Sequence, residues 1–258
     1  MFGFKEIPYK QYQTNFLKTV VFHILYPKIE DFNDKKNEII DTFKAVFPRI
    51  NTPPGGEISI SFDNKETPIV QHVKNEGTIE MKSDSGQKVL NISNSLLSLT
   101  ISGREYKSNS DLKELIKNIN DFFQRCAIEE TYRIAIRKIN IIEFNYSDND
   151  SSTEILSSVI NEQLVGDVSY LPNSIFIKQN MHLLNFNNGD YNLNLKYGLN
   201  IPQVPSKNIA QVIIDIDLFN DSITSVDGLI NITDKINKEI FNAYNWSLSE
   251  TFLKLLNE

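Results

Sequence analysis

The sequence is poor in the residue types that build the most familiar catalytic sites. The single cysteine, Cys126, excludes an intramolecular disulfide and a cysteine-based zinc cluster. The 10 glycines form no phosphate-binding loop or dinucleotide fingerprint, and no G-x-S-x-G or H-E-x-x-H pattern occurs. The sequence therefore indicates no cofactor, and it favours a non-enzymatic protein over an enzyme.

An excess of positive charge is also missing. The chain has 33 acidic against 26 basic side chains, and its formal net charge is -7. A surface of this kind has no overall positive field, so we expect neither nucleic acid nor anionic lipid as a partner.

Long apolar runs are absent as well. No stretch is long enough to span a bilayer, and the first residues carry Lys5, Glu6 and Lys10, which interrupt the apolar core that a secretory signal needs. Together with the single cysteine, these features predict a cytoplasmic protein.

The first half of the chain has clear strand and helix patterns. Residues 16–26 are rich in β-branched and aromatic side chains and predict a strand, whereas apolar residues at helical spacing predict a helix over 31–47. Short β-type runs separated by turn signals then predict a meander of antiparallel strands over 57–101. A second amphipathic helix is predicted from about Ser110 to Cys126.

The second half opens with the most strand-like stretch of the chain, residues 131–144. A capping box, Ser151 with Glu154, then predicts the start of a helix. The remaining predictions are strands over 174–184, 191–199 and 210–219, a helix from about Asp227, and a short helix over 247–256 whose predicted cap is Ser247 with Glu250.

Each half thus runs strand, helix, antiparallel strands, helix. This order predicts an internal duplication, with an N-terminal α+β half over 1–127 and a C-terminal α+β half over 128–258, packed as one globular unit. Antiparallel strands with separate helices are typical of the α+β class. We expect a curved antiparallel sheet that closes in part, with helices packed on it.

Three local patterns carry a family resemblance. They are the hydrophobic strand and helix that end at Phe47-Pro48, the stretch Arg133–Asn140, and the stretch Val212–Asp217 followed by a helix that ends near Phe241. With them the chain resembles an uncharacterised, sporadically distributed bacterial family known only by a placeholder name. The Gly-Leu-Arg-Tyr usual in that family is Ala-Ile-Arg-Lys at 135–138 here.

The resemblance implies a coherent fold and little chemistry. A sporadic distribution implies an accessory function, such as antiviral defence or a toxin–antitoxin pair, in which the protein acts through a protein partner.

Asp215 and Asp217 form one candidate site. They lie two residues apart in a predicted strand, so both carboxylates point to one face. Such a pair can hold a divalent cation for phosphoryl chemistry. A catalytic metal site recruits a further ligand from another element, and the sequence indicates none. The simpler interpretation is that the two aspartates are solvated or pair with arginines across the sheet.

Arg133 and Arg137 form a second candidate site. They lie roughly 13 Å apart along an extended strand, too far to grip one small anion together but close enough to line a groove. They could bind phosphate or an acidic partner, or they could form ion pairs with acidic neighbours. Ion pairs are favoured, because the net charge is negative and only Lys138 adds positive charge beside them.

Three further predictions concern single elements. His23 lies inside a hydrophobic strand and is predicted to be a packed core histidine. Asn140 is predicted to be a buried amide bonded to the backbone. The last helix presents Trp246, Phe252 and Leu255, which either pack back on the sheet or dock into a partner, and packing back is favoured.

These observations lead to one expected function with two alternatives. We expect a non-enzymatic binding or scaffold protein that acts through protein partners, in bacterial defence or a toxin–antitoxin type system. The first alternative is a metal-dependent phosphodiesterase or nuclease that uses Asp215 and Asp217, with Arg133 and Arg137 placing the phosphate. The second is a small-ligand receptor with a cavity in the curved sheet.

Overall fold

The computed structural model of the chain describes residues 1–8, 10, 12–51, 57–62, 68–73, 77–147, 151–166, 177–202 and 208–257. The predicted α+β class is confirmed, because helices pack on a large antiparallel sheet. None of the described helices is long and apolar enough to cross a membrane.

Strands and helices follow one another in groups along the chain. The strands are β1 (Leu17–Leu25), β2 (Arg49–Asn51), β3 (Glu57–Phe62), β4 (Pro68–Val73), β5 (Ile79–Lys82), β6 (Lys88–Ile92), β7 (Leu96–Ser102), β8 (Glu130–Thr131), β9 (Arg133–Asn145), β10 (Gln179–Asn187), β11 (Tyr191–Asn200), β12 (Ile209–Asn220) and β13 (Thr224–Ser225). The helices are α1 (Phe32–Phe43), α2 (Asn109–Arg125), α3 (Ser152–Val159), α4 (Glu162–Val165), α5 (Leu229–Ser247) and α6 (Glu250–Leu255).

Nine of these strands form one sheet in the order β10-β11-β12-β9-β1-β7-β6-β5-β2. The strand that the sequence marks most strongly, β9, is an interior strand between β12 and β1. The edges are β10 and β2, so within the described residues the sheet is open and the expected partial closure is not seen. Strands β3 and β4 were predicted as part of the meander, but they pair with each other in a separate sheet.

The chain divides into two compact units. The first unit contains Thr19–Ile136 and Phe219–Asp234, and the second contains Met1–Lys18, Arg137–Leu218 and Lys235–Glu258. The proposed duplication, with halves that meet near residue 127, is a separate statement about sequence order and stays a prediction.

The core of the first unit is an aromatic cluster beside α1 and α2. The ring of Tyr26 lies 5.2 Å from that of Phe123 and 5.8 Å from that of Phe122, and Phe43 adds a third edge contact. The helical spacing of apolar residues on α2 places Phe122 and Phe123 on this face, and both are fully buried. Ser108 and Asp111 form a capping box that fixes the start of α2.

The second unit is built on β11 and β12, with α3 and α6 in contact with each other. The predicted cap of α3 is confirmed, because the Ser151 hydroxyl accepts a hydrogen bond from the backbone N–H of Glu154. The predicted cap of the last helix is wrong. Helix α5 continues through Ser247, and the hydroxyl of Ser249 caps α6 by accepting from the N–H of Phe252.

Two further differences from the predictions concern strands. The three-residue strand β2 was not predicted, because it has too few residues to show alternation. The strand predicted over 174–184 begins at Gln179, and residues 174–176 lie outside the described part of the chain.

Gly198 allows β10 and β11 to approach each other closely. It faces Met181 across the ladder, with a φ of +154° that favours glycine. A Cβ atom at this position would lie 1.9 Å from the carbonyl oxygen of Asn180. Because that oxygen belongs to the backbone, a larger residue requires the strands to separate.

We therefore expect Gly198→Ala to lower the free energy of unfolding by about 2–3 kcal/mol. Gly166→Ala is the matched control, because a Cβ there meets nothing within 4 Å, and it should change stability by less than about 0.5 kcal/mol. Urea denaturation measures both. Equal midpoints for the two variants would show that the close contact is unimportant.

Candidate functional site

The predicted pairing of arginine and aspartate across the sheet occurs between Arg137 on β9 and Asp215 on β12. Arg137 Nε donates to Asp215 Oδ1 at 2.8 Å, and Arg137 Nη2 donates to Asp215 Oδ2. Asp215 is only 7% exposed, and its carboxylate forms a bidentate ion pair with Arg137. Both of its oxygen atoms accept hydrogen bonds from the guanidinium.

Arg133 also forms an ion pair with an acidic residue, but with Asp221 and not with Asp215. Its Nη1 atom lies 3.2 Å from Oδ1 of Asp221, beyond the end of β12. Its guanidinium carbon also lies 3.6 Å from the ring centroid of Phe219. A planar cation that stacks on an aromatic ring and pairs with a carboxylate is fixed in direction, so Arg133 is oriented before any ligand arrives.

The opposite face of β9 carries the neighbouring polar residues. Lys138 Nζ donates to Asn237 Oδ1 at 2.6 Å, and desolvation lowers the pKa of Lys138 to about 8. The prediction for Asn140 is confirmed: it is 7% exposed, and its Nδ2 atom donates to the carbonyl oxygen of Ile214 at 3.4 Å. These side chains bind to groups of the protein itself.

Asp217 is half-buried and lies two residues beyond Asp215 on β12. Among the described residues, no group of three or more His, Cys, Asp or Glu side chains is placed to hold a metal ion. Both carboxylate oxygens of Asp215 already accept a hydrogen bond from Arg137, so a cation there would meet the positive charge of the guanidinium. The contacts of Asp215 are those of an ion pair.

The three candidates for partner docking differ in exposure. Trp246 packs its ring against Phe4, with 5.1 Å between ring centroids, and Phe252 is 5% exposed with its ring 5.6 Å from that of Phe16. Leu255 is 49% exposed. Trp246 and Phe252 therefore have aromatic contacts within the second unit, whereas about half of Leu255 is exposed to solvent.

A stripe of polar residues on α5 holds the first residues of the chain in place. Glu239 accepts from the backbone N–H of Phe2 at 2.7 Å, Asn242 accepts from the N–H of Ile7 at 3.2 Å, and Asn245 accepts from the hydroxyl of Tyr12. These acceptors recur every three residues, so they share one side of the helix. A helix from about Asp227 was predicted, but this polar stripe was missed.

An exposed apolar pair was also missed. Ile223 is 69% exposed and Tyr132 is 43% exposed, and both belong to the first unit. Thr224 of β13 pairs with Thr131 of β8, and Ile223 directly precedes β13 while Tyr132 directly follows β8, so both residues flank the same end of this antiparallel ladder. The signal in the sequence is a lone isoleucine within the polar stretch 220–225.

A packed core histidine was predicted at position 23, whereas His23 on β1 is half-buried, with its Nε2 atom buried. Burial and the nearby positive charge of Arg133 lower the pKa of His23 to about 4. The imidazole is therefore neutral at pH 7.

Comparisons with known proteins assign no family. No protein-family model matches the chain, and no curated protein matches it. Function must therefore be inferred from the residues themselves.

The Arg137–Asp215 pair leads to a stability prediction. Arg137→Ala should lower the free energy of unfolding by about 3–5 kcal/mol, because it leaves a buried carboxylate without its counter-charge. The double variant Arg137→Met with Asp215→Leu should recover most of this loss. Urea denaturation of the single and double variants measures the coupling.

An exposed ion pair is the control for this experiment. Lys44 and Asp41 lie 2.7 Å apart, but their side chains are 58% and 59% exposed. Lys44→Ala should therefore change stability by less than about 1 kcal/mol. If Arg137→Ala is as mild as Lys44→Ala, the buried pair is not a structural requirement.

The lowered pKa of His23 predicts a dependence of stability on pH. The unfolded chain binds a proton near the ordinary histidine pKa of 6.5, whereas the folded chain does so only near 4. The unfolded state thus binds more protons in this window, and stability should fall as the pH drops from 6.5 towards 4. The part of this loss due to His23 is about 3 kcal/mol.

His23→Leu removes the titrating group, so the difference in unfolding free energy between wild type and variant isolates its contribution. We expect this difference to change between pH 7 and pH 4 and to be constant above pH 7. A difference that does not vary with pH would show that His23 is accessible to protons in the folded state.

Proposed function

We propose that the protein is a non-enzymatic binding protein that acts through a protein partner, and that the partner contacts the Tyr132–Ile223 surface. This surface is defined by Tyr132, Ile223, Phe219 and Arg133 of the first unit. The observation that carries the proposal is the exposure of Ile223, 69%, next to an exposed tyrosine. The setting we propose is the one implied by the family resemblance, bacterial defence or a toxin–antitoxin type system.

The composition of this surface supports the proposal. Tyrosine and arginine are enriched among the residues that dominate protein–protein binding energy, and an exposed aliphatic side chain gains free energy when a partner covers it. Arg133 is already fixed by Phe219 and Asp221, so little of its side-chain entropy is left to lose on binding. A partner with an acidic or carbonyl-rich rim around an apolar centre would fit.

The charged residues of the candidate site support a binding role over a catalytic one. Both carboxylate oxygens of Asp215 accept hydrogen bonds from Arg137, and Arg133 forms an ion pair with Asp221. Phosphoryl chemistry would need these groups to be available for a metal ion and a phosphate. The enzymatic alternative therefore requires a rearrangement of β9 and β12 side chains.

Site-specific photo-crosslinking tests the proposed surface. A photoreactive amino acid at position 223, expressed in the source organism, should yield one discrete protein adduct, whereas the same group at Leu183 should yield none. Leu183 is a matched control because it is 58% exposed on a strand of the second unit.

The purified partner then allows a quantitative test. Ile223→Asp should weaken binding at least tenfold, because it places a charge in the apolar centre of the interface, and Leu183→Asp should leave affinity unchanged. Equal losses for both variants, or tight binding by Ile223→Asp, would contradict the proposal.

A separate experiment addresses the enzymatic alternative. Calorimetric titration of the protein with Mn²⁺ or Mg²⁺ should give no saturable heat, and Asp217→Asn should give the same result as the wild type. Metal-dependent hydrolysis of bis(4-nitrophenyl) phosphate that Asp215→Ala abolishes would overturn the non-enzymatic proposal in favour of a phosphodiesterase.

A further inference from the structure

A row of three polar side chains crosses neighbouring strands of the first unit. His23 on β1 pairs with Ser98 on β7, and Ser98 pairs with Asn91 on β6. Residues that face each other in antiparallel strands point to the same side of the sheet, with Cβ atoms about 5 Å apart. The three side chains therefore form one continuous row, called here the His23–Ser98–Asn91 row.

One atom of each side chain is buried without a hydrogen-bond partner. The atoms are Nε2 of His23, Oγ of Ser98 and Oδ1 of Asn91, and the described part of the chain offers no partner to any of them. Ser98 is only 5% exposed. Ser98 is the middle residue of the row, between His23 and Asn91.

Burial of this kind is unfavourable unless a partner is bound. Each unsatisfied polar group lowers stability, so three of them together are a large cost to a domain. Because the three residues are neighbours across the strands, a small molecule that lies along the row, or a short chain of waters, can reach all of them. Scattered orphans would need separate partners.

The surroundings determine the charge of that molecule. On one side, the next row consists of Val21, Thr100 and Val89, which carry no charge. Beyond Asn91 the row reaches Glu80, whose carboxylate lies 3.0 Å from Nζ of Lys82.

At the other end, His23 is the only titratable member of the row, and it is neutral at pH 7. The nearby charge of Arg133 is paired with Asp221. A charged ligand would thus find no free counter-charge among these neighbours of the row.

We propose that the His23–Ser98–Asn91 row binds small uncharged molecules through hydroxyl-type oxygens, either ordered water or the hydroxyl groups of a small neutral ligand such as a polyol. Asn91 Oδ1 only accepts hydrogen bonds, so the ligand must donate to it. Ser98 Oγ can donate and accept, and His23 Nε2 does one or the other according to its tautomer. Oxygens that both donate and accept satisfy this set, as water does in polar protein interiors.

The sign of a stability change tests the proposal. If a bound oxygen satisfies the row, Ser98→Ala breaks a hydrogen bond and orphans its neighbours, so the equilibrium constant for unfolding should rise about tenfold. If the row is dry, the same substitution removes an unsatisfied polar group and should stabilise the protein. Ser102→Ala is the matched control, because Ser102 lies on the same strand and the same face but has no orphaned atom among those described.

Two measurements on the whole chain identify the source of the oxygen. A high-resolution crystal structure should show ordered density that bridges the three side chains, and thermal melts with glycerol, glucose and myo-inositol should reveal any ligand. A saturable rise in melting temperature at millimolar concentration, absent in Ser98→Ala, assigns a neutral ligand. Bridging density without such a rise assigns water, and either result supports the proposal. A stabilising Ser98→Ala together with an empty row would overturn it.

Discussion

A carboxylate that is 7% exposed can stay in the interior strand β12 only because a guanidinium on the neighbouring strand neutralises it. The pairing of Asp215 with Arg137 determines much of what β9 and β12 can do. It fixes the position of two of the charged residues that the sequence offered for phosphoryl chemistry, and both Asp215 oxygens accept a hydrogen bond from Arg137. Charge neutralisation inside the sheet gives these two residues a physical role in the fold.

Much of the fold could be predicted because its signals are local. The β-branched and aromatic residues of β1 and β9, and the apolar stripe of α2, each identify an element from its own residues. The caps show the limit of local signals. Ser247 and Ser249 have similar neighbours, and only the packing of α5 and α6 decides which of them caps a helix.

The candidate site was harder to predict, since its partners are distant in the sequence. The pairing of Arg137 with Asp215 could be anticipated from two strands with opposite charges, but the stacking of Arg133 on Phe219 required the three-dimensional path of the chain. The covering of Trp246 by Phe4 likewise depends on a segment without regular secondary structure. Exposure is a property of the whole fold, which is why Ile223 emerged as a surface residue only from the structure.

Arg137 and Asp215 form a structural ion pair, and the side-chain resonance of Arg137 tests this role most directly. In the ¹⁵N-labelled chain, the Nε–H signal of Arg137 should be slow to exchange with solvent and should keep its intensity when Mn²⁺ is added, because Asp215 binds the guanidinium and not the metal. Selective loss of this signal at stoichiometric Mn²⁺ would place a metal ion beside Asp215 and contradict the claim.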